Sequence, residues 1–273
     1  MIQNRAIVTV PAFISLGLMG AFFAFWGTTL PALRAFLDLS MERAALLTAC
    51  GQASHAIVCF LGGILSDLMR RDRVLMAGCF FLGSGVFLLG NLDTYSANRL
   101  LVLWMGIGSG LILSSSNALL VGLYPHKKGP IMNIHHGTFG IFSLVSPLVM
   151  GYLLSQQDRW PFGYDGLGII LIAVGVFFAF TTTASVPSQG LAKFFVDLRK
   201  VAANAGFDHL MLMGFLGVGT QFALMFLSVT FLTEAKHLGI FQASVILSLF
   251  FVGLFVGRFS CAWIALRVLN ARI

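Results

Sequence analysis

Charge is what this sequence lacks most. Only 10% of its 273 residues are Asp, Glu, Lys or Arg, against about 25% in soluble domains. Hydrophobic residues make up 58%, and mean hydropathy is +0.92. A water-soluble globular domain is excluded, and the chain reads as an integral membrane protein. Cysteine is also scarce. Cys50, Cys59, Cys79 and Cys261 all lie in apolar runs, where a free thiol behaves as a small buried hydrophobe. No disulfide framework or CxxC metal site is present, and neither a metal nor a cofactor is expected. The net charge of +7 does not indicate nucleic acid, because basic residues in such a chain sit in loops and set its orientation.

Long apolar runs fill the rest. A helix crossing the bilayer needs about 20 mainly apolar residues. By that measure about eight spans are expected, over 10–34, 43–67, 74–92, 99–123, 131–155, 166–185, 208–233 and 241–267. The first run is too long for a signal peptide and reads as an uncleaved span. Arg5, Arg70, Arg71, Arg73, Lys127, Lys128, Lys193, Arg199, Lys200, Arg267 and Arg272 fall on one side. Arg34, Arg43, Arg99, Arg159 and Lys236 fall on the other. The excess predicts a cytoplasmic N-terminus, in the cell (inner) membrane.

The polar segment after the sixth span, with "AKFFVDLRKV", reads as a cytoplasmic linker containing a short interfacial helix. The organisation expected is a six-helix unit over 1–186, a linker over 187–207 and a pair of spans over 208–273. An offset of roughly 199 residues lays Gly219 on Gly20, Leu232 on Leu33, Leu238 on Leu39, Ala243 on Ala44 and Phe259 on Phe60. Span seven thus repeats span one, and span eight repeats span two, as in transporters built from two parallel halves. The second unit stops at Ile273, which reads as a truncated product or one whose remainder is encoded elsewhere.

Polar residues within the runs are few and clustered. Gln52, His55 and Cys59 share one helix face, as do Ser114 with Asn117, and Asn133 with His136 and Gly140. Side chains of this kind face a bundle interior or a wet cavity. Spans two, four and five should therefore border a polar interior, with spans three and six toward lipid. His136 should look into the cavity and His135, about a hundred degrees round, should not. Trp26, Gln52, His55, Asn117, Asn133, His136 and Gln221 are the candidate solute-binding residues. Gln221 repeats Phe22, and aromatic faces with amide donors suit sugars. Arg258 lies about 13 Å along the helix from Arg267. Unpaired there, it would cost at least about 2.5 kcal/mol, so it needs a carbonyl, water, a carboxylate or the solute.

"GGILSDLMRRDRV" (Gly62–Val74) and "GIGSGLILSSSNALLVGLYPHKKGPIMNIHHGTFGIFSLVSPLVMGYLL" resemble the major facilitator superfamily. The first resembles its Gly-x-x-x-Asp-plus-basic loop, with Gly63, Asp67 and Arg71 in the gating or structural positions, although Arg70 stands where the family usually has glycine. The second resembles the fucose-permease-like branch, where span five opens with Asn-x-x-His-x-x-Phe-Gly, here Asn133, His136, Phe139 and Gly140. The resemblance implies an all-α polytopic helix bundle that moves a small polar solute, sugar-like, by alternating access, often with a proton. It implies Gly63 at a close helix approach and Asp67 latching the halves. With no carboxylate clearly inside a span, coupling would be absent or would use His55 or His136. Partners are then the solute, the bilayer and a coupling proton. The sequence carries no signal for an oligomeric state. Two other readings compete: a non-transporting remnant, and an intramembrane serine protease with Ser109 in the "GIGSG" turn and His136 as its base.

Overall fold

The computed structural model describes residues 5–156, 159–181, 191–204 and 206–270; the side chains of 191–195, 197, 258, 259 and 261–270 lie outside that description. Every regular element among the described residues is an α-helix: α1 (Arg5–Phe36), α2 (Met41–Leu68), α3 (Arg71–Leu88), α4 (Tyr95–Leu123), α5 (Lys128–Ser155), α6 (Trp160–Ala179), α7 (Leu191–Ala202), α8 (Phe207–Glu234) and α9 (Ile240–Asn270). In hydrocarbon an unpaired backbone N–H or C=O costs several kcal/mol, so a helix is how a spanning segment satisfies itself. Ser40 starts α2 by accepting the Arg43 N–H (3.3 Å), and Thr94 starts α4 by accepting that of Ala97 (3.4 Å).

Seven of these helices are long and apolar enough to cross a membrane. The exception among the expected spans is α3. It has 18 residues and opens on Arg71, Asp72 and Arg73, so its fully apolar stretch is short. At 1.5 Å per residue it still reaches about 27 Å. The sixth helix begins at Trp160, earlier than the expected 166, because Pro161 suits a first turn and starts it there.

The helix α1 is the hub. It packs on α5, α8, α4 and α6, and its middle, from Ser15 to Leu30, is buried throughout. A Cβ on Gly20 would lie 2.8 Å from the Phe139 carbonyl of α5, so the two backbones nearly touch there. On the far side, α2 packs on α4, α4 on α3, and α3 on α6. Burial differs between α2, expected to border a polar interior, and α3, expected to face lipid. α2 buries only Ala44, Leu47, Gly62 and Ser66, whereas α3 buries half its length, including Leu75, Cys79, Leu82 and Val86. The reason is neighbours: α3 is held between α4 and α6, while α2 leans chiefly on α4.

The repeat is visible in three dimensions. Residues 38 and 237, matched by the offset, are the two non-glycine residues with positive φ (49° and 55°) among those described. The Ala44 N–H bonds to the Ser40 carbonyl, and the Ala243 N–H to that of Gly239, the equivalent positions. Phe23 even packs edge-on against its own counterpart, Phe222, at 5.5 Å. A residue can touch its repeat partner only where the axis relating the two copies passes nearby.

The α1–α8 seam is closed at one end only. Near that end a Cβ on Gly27 would collide with the Met225 carbonyl, and Arg34 pairs with Glu234. Toward the other end Leu210, Met213, Phe215 and Val218 are all exposed. The α5–α9 seam closes at the same end, with Gly151 against Ser244.

Candidate functional site

The polar side chains do not share one chamber. They form several small hydrogen-bonded sites between helices, and one of these opens into a cavity.

That cavity lies between α1, α2 and α4. Phe22, Phe23 and Trp26 line it from α1, Thr48 and Gln52 from α2, and Met105 and Ser109 from α4. Its volume is about 20 Å³. That is little more than one water requires, so a larger solute needs the walls to part. Three features shape it. The Trp26 indole N–H donates to the Thr48 hydroxyl (3.0 Å), which fixes the ring and leaves its face as the interacting surface. Thr48 in turn donates to the Ala44 carbonyl (3.0 Å). Beside Gln52, His55 Nδ1 lies 2.9 Å from Ser109 Oγ, and Ser109 donates to the Gly106 carbonyl (3.1 Å). Phe23 holds the imidazole ring edge-on at 5.4 Å.

Trp26 and Gln52 thus line the cavity, and His55 lies behind its wall, bonded to the lining Ser109. The other predicted residues are not at this cavity. Asn117 is half-buried on α4, and its Oδ1 is enclosed without a hydrogen-bond partner. Asn133 is exposed. His136 is half-buried, and Gly140 on the same face would meet Phe255 of α9, so that face fronts α9. The fully enclosed member of the histidine pair is His135. Its Nε2 sits 3.1 Å from Ser116 Oγ, and its ring is 5.4 Å from Phe13. It fills the junction of α1, α4 and α5, away from the cavity. Gln221 is half-buried on α8. Among the polar lining residues, Thr48 went unnoticed in the sequence and Ser109 was considered only as a nucleophile. Thr48 lies four residues before Gln52, which was a usable signal.

At the loop between α2 and α3, the close approach belongs to Gly62, whose Cβ would collide with Ser114, whereas Gly63 has nothing within 4 Å. That corrects the packing role expected of Gly63. Asp67 is exposed and lies 3.6 Å from Arg71, a pairing across the α2–α3 connection. Arg71 also donates to the carbonyls of Ala118 (2.8 Å) and Ser66 (3.3 Å), and so ties the loop to α4. The buried carboxylate is Asp72. Arg70 grips it at 2.5 Å and also reaches the Thr181 carbonyl (3.2 Å). The hydrogen bond to Asp72 raises the Arg70 guanidinium above its ordinary range, so the pair stays charged on the arginine side at working pH. The side chain of Arg258 lies outside the described residues.

Two further corrections concern catalysis. "GIGSG" is not a turn but the middle of α4, and Ser109 bonds to His55 and Gly106, not to His136. Among the described residues no group of three or more His, Cys, Asp or Glu could hold a metal ion.

The chain was compared with known proteins. It is 22% identical over 173 residues to a Protein TsgA homolog of Erwinia tasmaniensis, covering 63% of this chain and 44% of that one. It is 26% identical over 131 residues to Multidrug resistance protein 3 of Bacillus subtilis, covering 46% and 25%. It is 22% identical over 155 residues to the Quinolone resistance protein NorA of Staphylococcus aureus, covering 55% and 40%. The chain spans about half the length of the first of these relatives, or less. Among solved structures, a D-xylose-proton symporter superposes with a TM-score of 0.65 at 17% identity, over 93% of this chain and 67% of that one. The fold is therefore shared with that protein. Residues 12–273 match the profile of the Major Facilitator Superfamily, and the chain belongs to that family.

Proposed function

We propose that this chain is part or all of a secondary transporter that moves a small polar solute, sugar-like, across the inner membrane by alternating access. The observation that carries this reading is the α1–α2–α4 cavity of a superfamily member, lined by the Trp26 ring and the Gln52 amide, with the His55 imidazole bonded to the lining Ser109. In this reading a six-helix unit (1–186) and a repeating pair (208–273) rock about the α1–α8 seam, with residues 187–207 as the linker and the N-terminus in the cytoplasm. Trp26 offers a ring to the apolar face of a sugar. Gln52 both donates and accepts, and His55 positions the lining Ser109. Asn117, Asn133, His136 and Gln221 join as the seam closes around the solute. Arg258 and Asp67 serve the transition and not the resting site. A proton is carried, if at all, by His55 or His136.

A second reading has one observation in its favour. Most of the cavity wall is aromatic or aliphatic, with Phe22, Phe23, Leu47, Val102 and Met105 beside Trp26. An amphipathic compound with a flat apolar body would suit it as well, and two of the relatives carry drug-resistance names.

Uptake into proteoliposomes separates these readings. Labelled pentoses and hexoses should accumulate with wild-type chain and fall at least about tenfold with Gln52→Ala, the loss of one or two hydrogen bonds. Accumulation of a quinolone but no sugar would favour the second reading. Binding without accumulation would assign the chain recognition without translocation, and full sugar uptake by a Gln52→Ala, His55→Ala variant would remove this cavity from the mechanism.

A further inference from the structure

The helix α7 enters the transport reading only as part of the linker, yet its chemistry and position are specific. Three basic residues, Lys193, Arg199 and Lys200, and one acid, Asp197, stand in its sequence. Leu198 and Val201, three positions apart, share one face and are 37% and 54% exposed. Arg199 and Lys200 are exposed and lie well round from that face. Val196, on the opposite side, is exposed as well. A short basic helix with two apolar side chains on one face and cations flanking them is the pattern of a segment lying in a membrane interface.

Its place along the chain agrees. α7 ends at Ala202 and α8, a membrane-length helix, begins at Phe207. A connection of that length reaches at most about 18 Å, and here it is tighter. The Phe207 N–H bonds to the Asn204 carbonyl (2.9 Å), and the Gly206 N–H bonds to Asn204 Oδ1 (3.1 Å). The basic end of α7 is therefore held at the mouth of a span, level with the headgroups that extend about 5–8 Å beyond the hydrocarbon on each side.

We propose that α7 is a membrane-surface anchor. Its Leu198–Val201 face enters the interfacial layer of the cytoplasmic leaflet, and Arg199 and Lys200 pair with the phosphates of anionic phospholipids. The proposal rests on the membrane orientation read from the loops. Charge complementarity selects the occupant, since each Lys or Arg near such a surface strengthens attachment about fivefold.

Hydrogen–deuterium exchange of the full chain in nanodiscs tests it. The discs are either phosphatidylcholine or an equal mixture with phosphatidylglycerol. Amides of residues 191–202 should exchange at least about fivefold more slowly in the anionic discs, and an Arg199→Gln, Lys200→Gln variant should return to the phosphatidylcholine rate. Equal rates in the two discs overturn the headgroup pairing. The same slowing produced in phosphatidylcholine discs by inorganic phosphate overturns the membrane surface in favour of a free-anion site. Peptides from α1 and α4 report separately on the membrane fold: if they exchange fast, the underlying reading fails, whereas slow exchange there with fast exchange across 191–202 in both discs rejects the anchor alone.

Discussion

Glycine is used in opposite ways in the six-helix unit and in the α8–α9 pair. In α1 to α6 most glycines sit where a neighbour leaves no room for a side chain. A Cβ on Gly108 would collide with the backbone of Leu82, one on Gly78 would lie 2.9 Å from the Ile112 nitrogen, and one on Gly110 would lie 2.7 Å from the His55 carbonyl. In the pair, Gly214, Gly217, Gly219, Gly253 and Gly257 have nothing within 4 Å. Small residues in membrane helices matter where they let backbones approach. The first region is thus a packed unit, and among the described residues the second packs on it chiefly along the α1 and α5 seams. Salt bridges follow the same division: Asp72 is wholly enclosed within the unit, whereas Glu234, which joins the pair to it, is 45% exposed.

The largest expected effect is at the enclosed pair. Asp72→Ala should cost about 3 kcal/mol, the lower end for breaking a buried ion pair, because Arg70 keeps access to water. Thermal unfolding of the detergent-solubilised protein reads it. Next comes the glycine contrast. Gly108→Val should destabilise by about 2 kcal/mol through overpacking. Gly214→Val should fall within about 0.5 kcal/mol of wild type; equal losses at the two sites would erase the distinction between the regions. Smaller again, Thr48→Val should cost about 1 kcal/mol by leaving the Trp26 indole without its acceptor, and near-ultraviolet circular dichroism should show a changed tryptophan environment. The smallest term is the seam. A double-mutant cycle on Arg34→Ala and Glu234→Ala should give about 0.5 kcal/mol, as exposed pairs do, and that coupling should shrink in high salt.

Much of the fold was legible because membrane helices announce themselves by length and apolarity, and because the offset between Phe23 and Phe222 is written in the sequence. The site was less legible. One helix gives the relative angles of its own side chains but not which direction faces a neighbour. Turning α2 by one residue, about a hundred degrees, decides whether Gly62 or Gly63 meets α4. The same ambiguity on α5 concealed that His135 is the enclosed histidine. It also concealed that His55, two helices away in sequence, is the partner of Ser109. Thr48 escaped notice because a threonine that bonds its own helix carbonyl looks like ordinary filling until Trp26 is placed beside it.

The central claim is that the cavity bounded by Trp26, Gln52 and Ser109 is where solute binds. Titrating monosaccharides into the purified chain while following tryptophan emission tests it most directly. The account predicts saturable quenching that disappears in Trp26→Phe and weakens at least about tenfold in Gln52→Ala. Saturable quenching that survives both substitutions unchanged would contradict it.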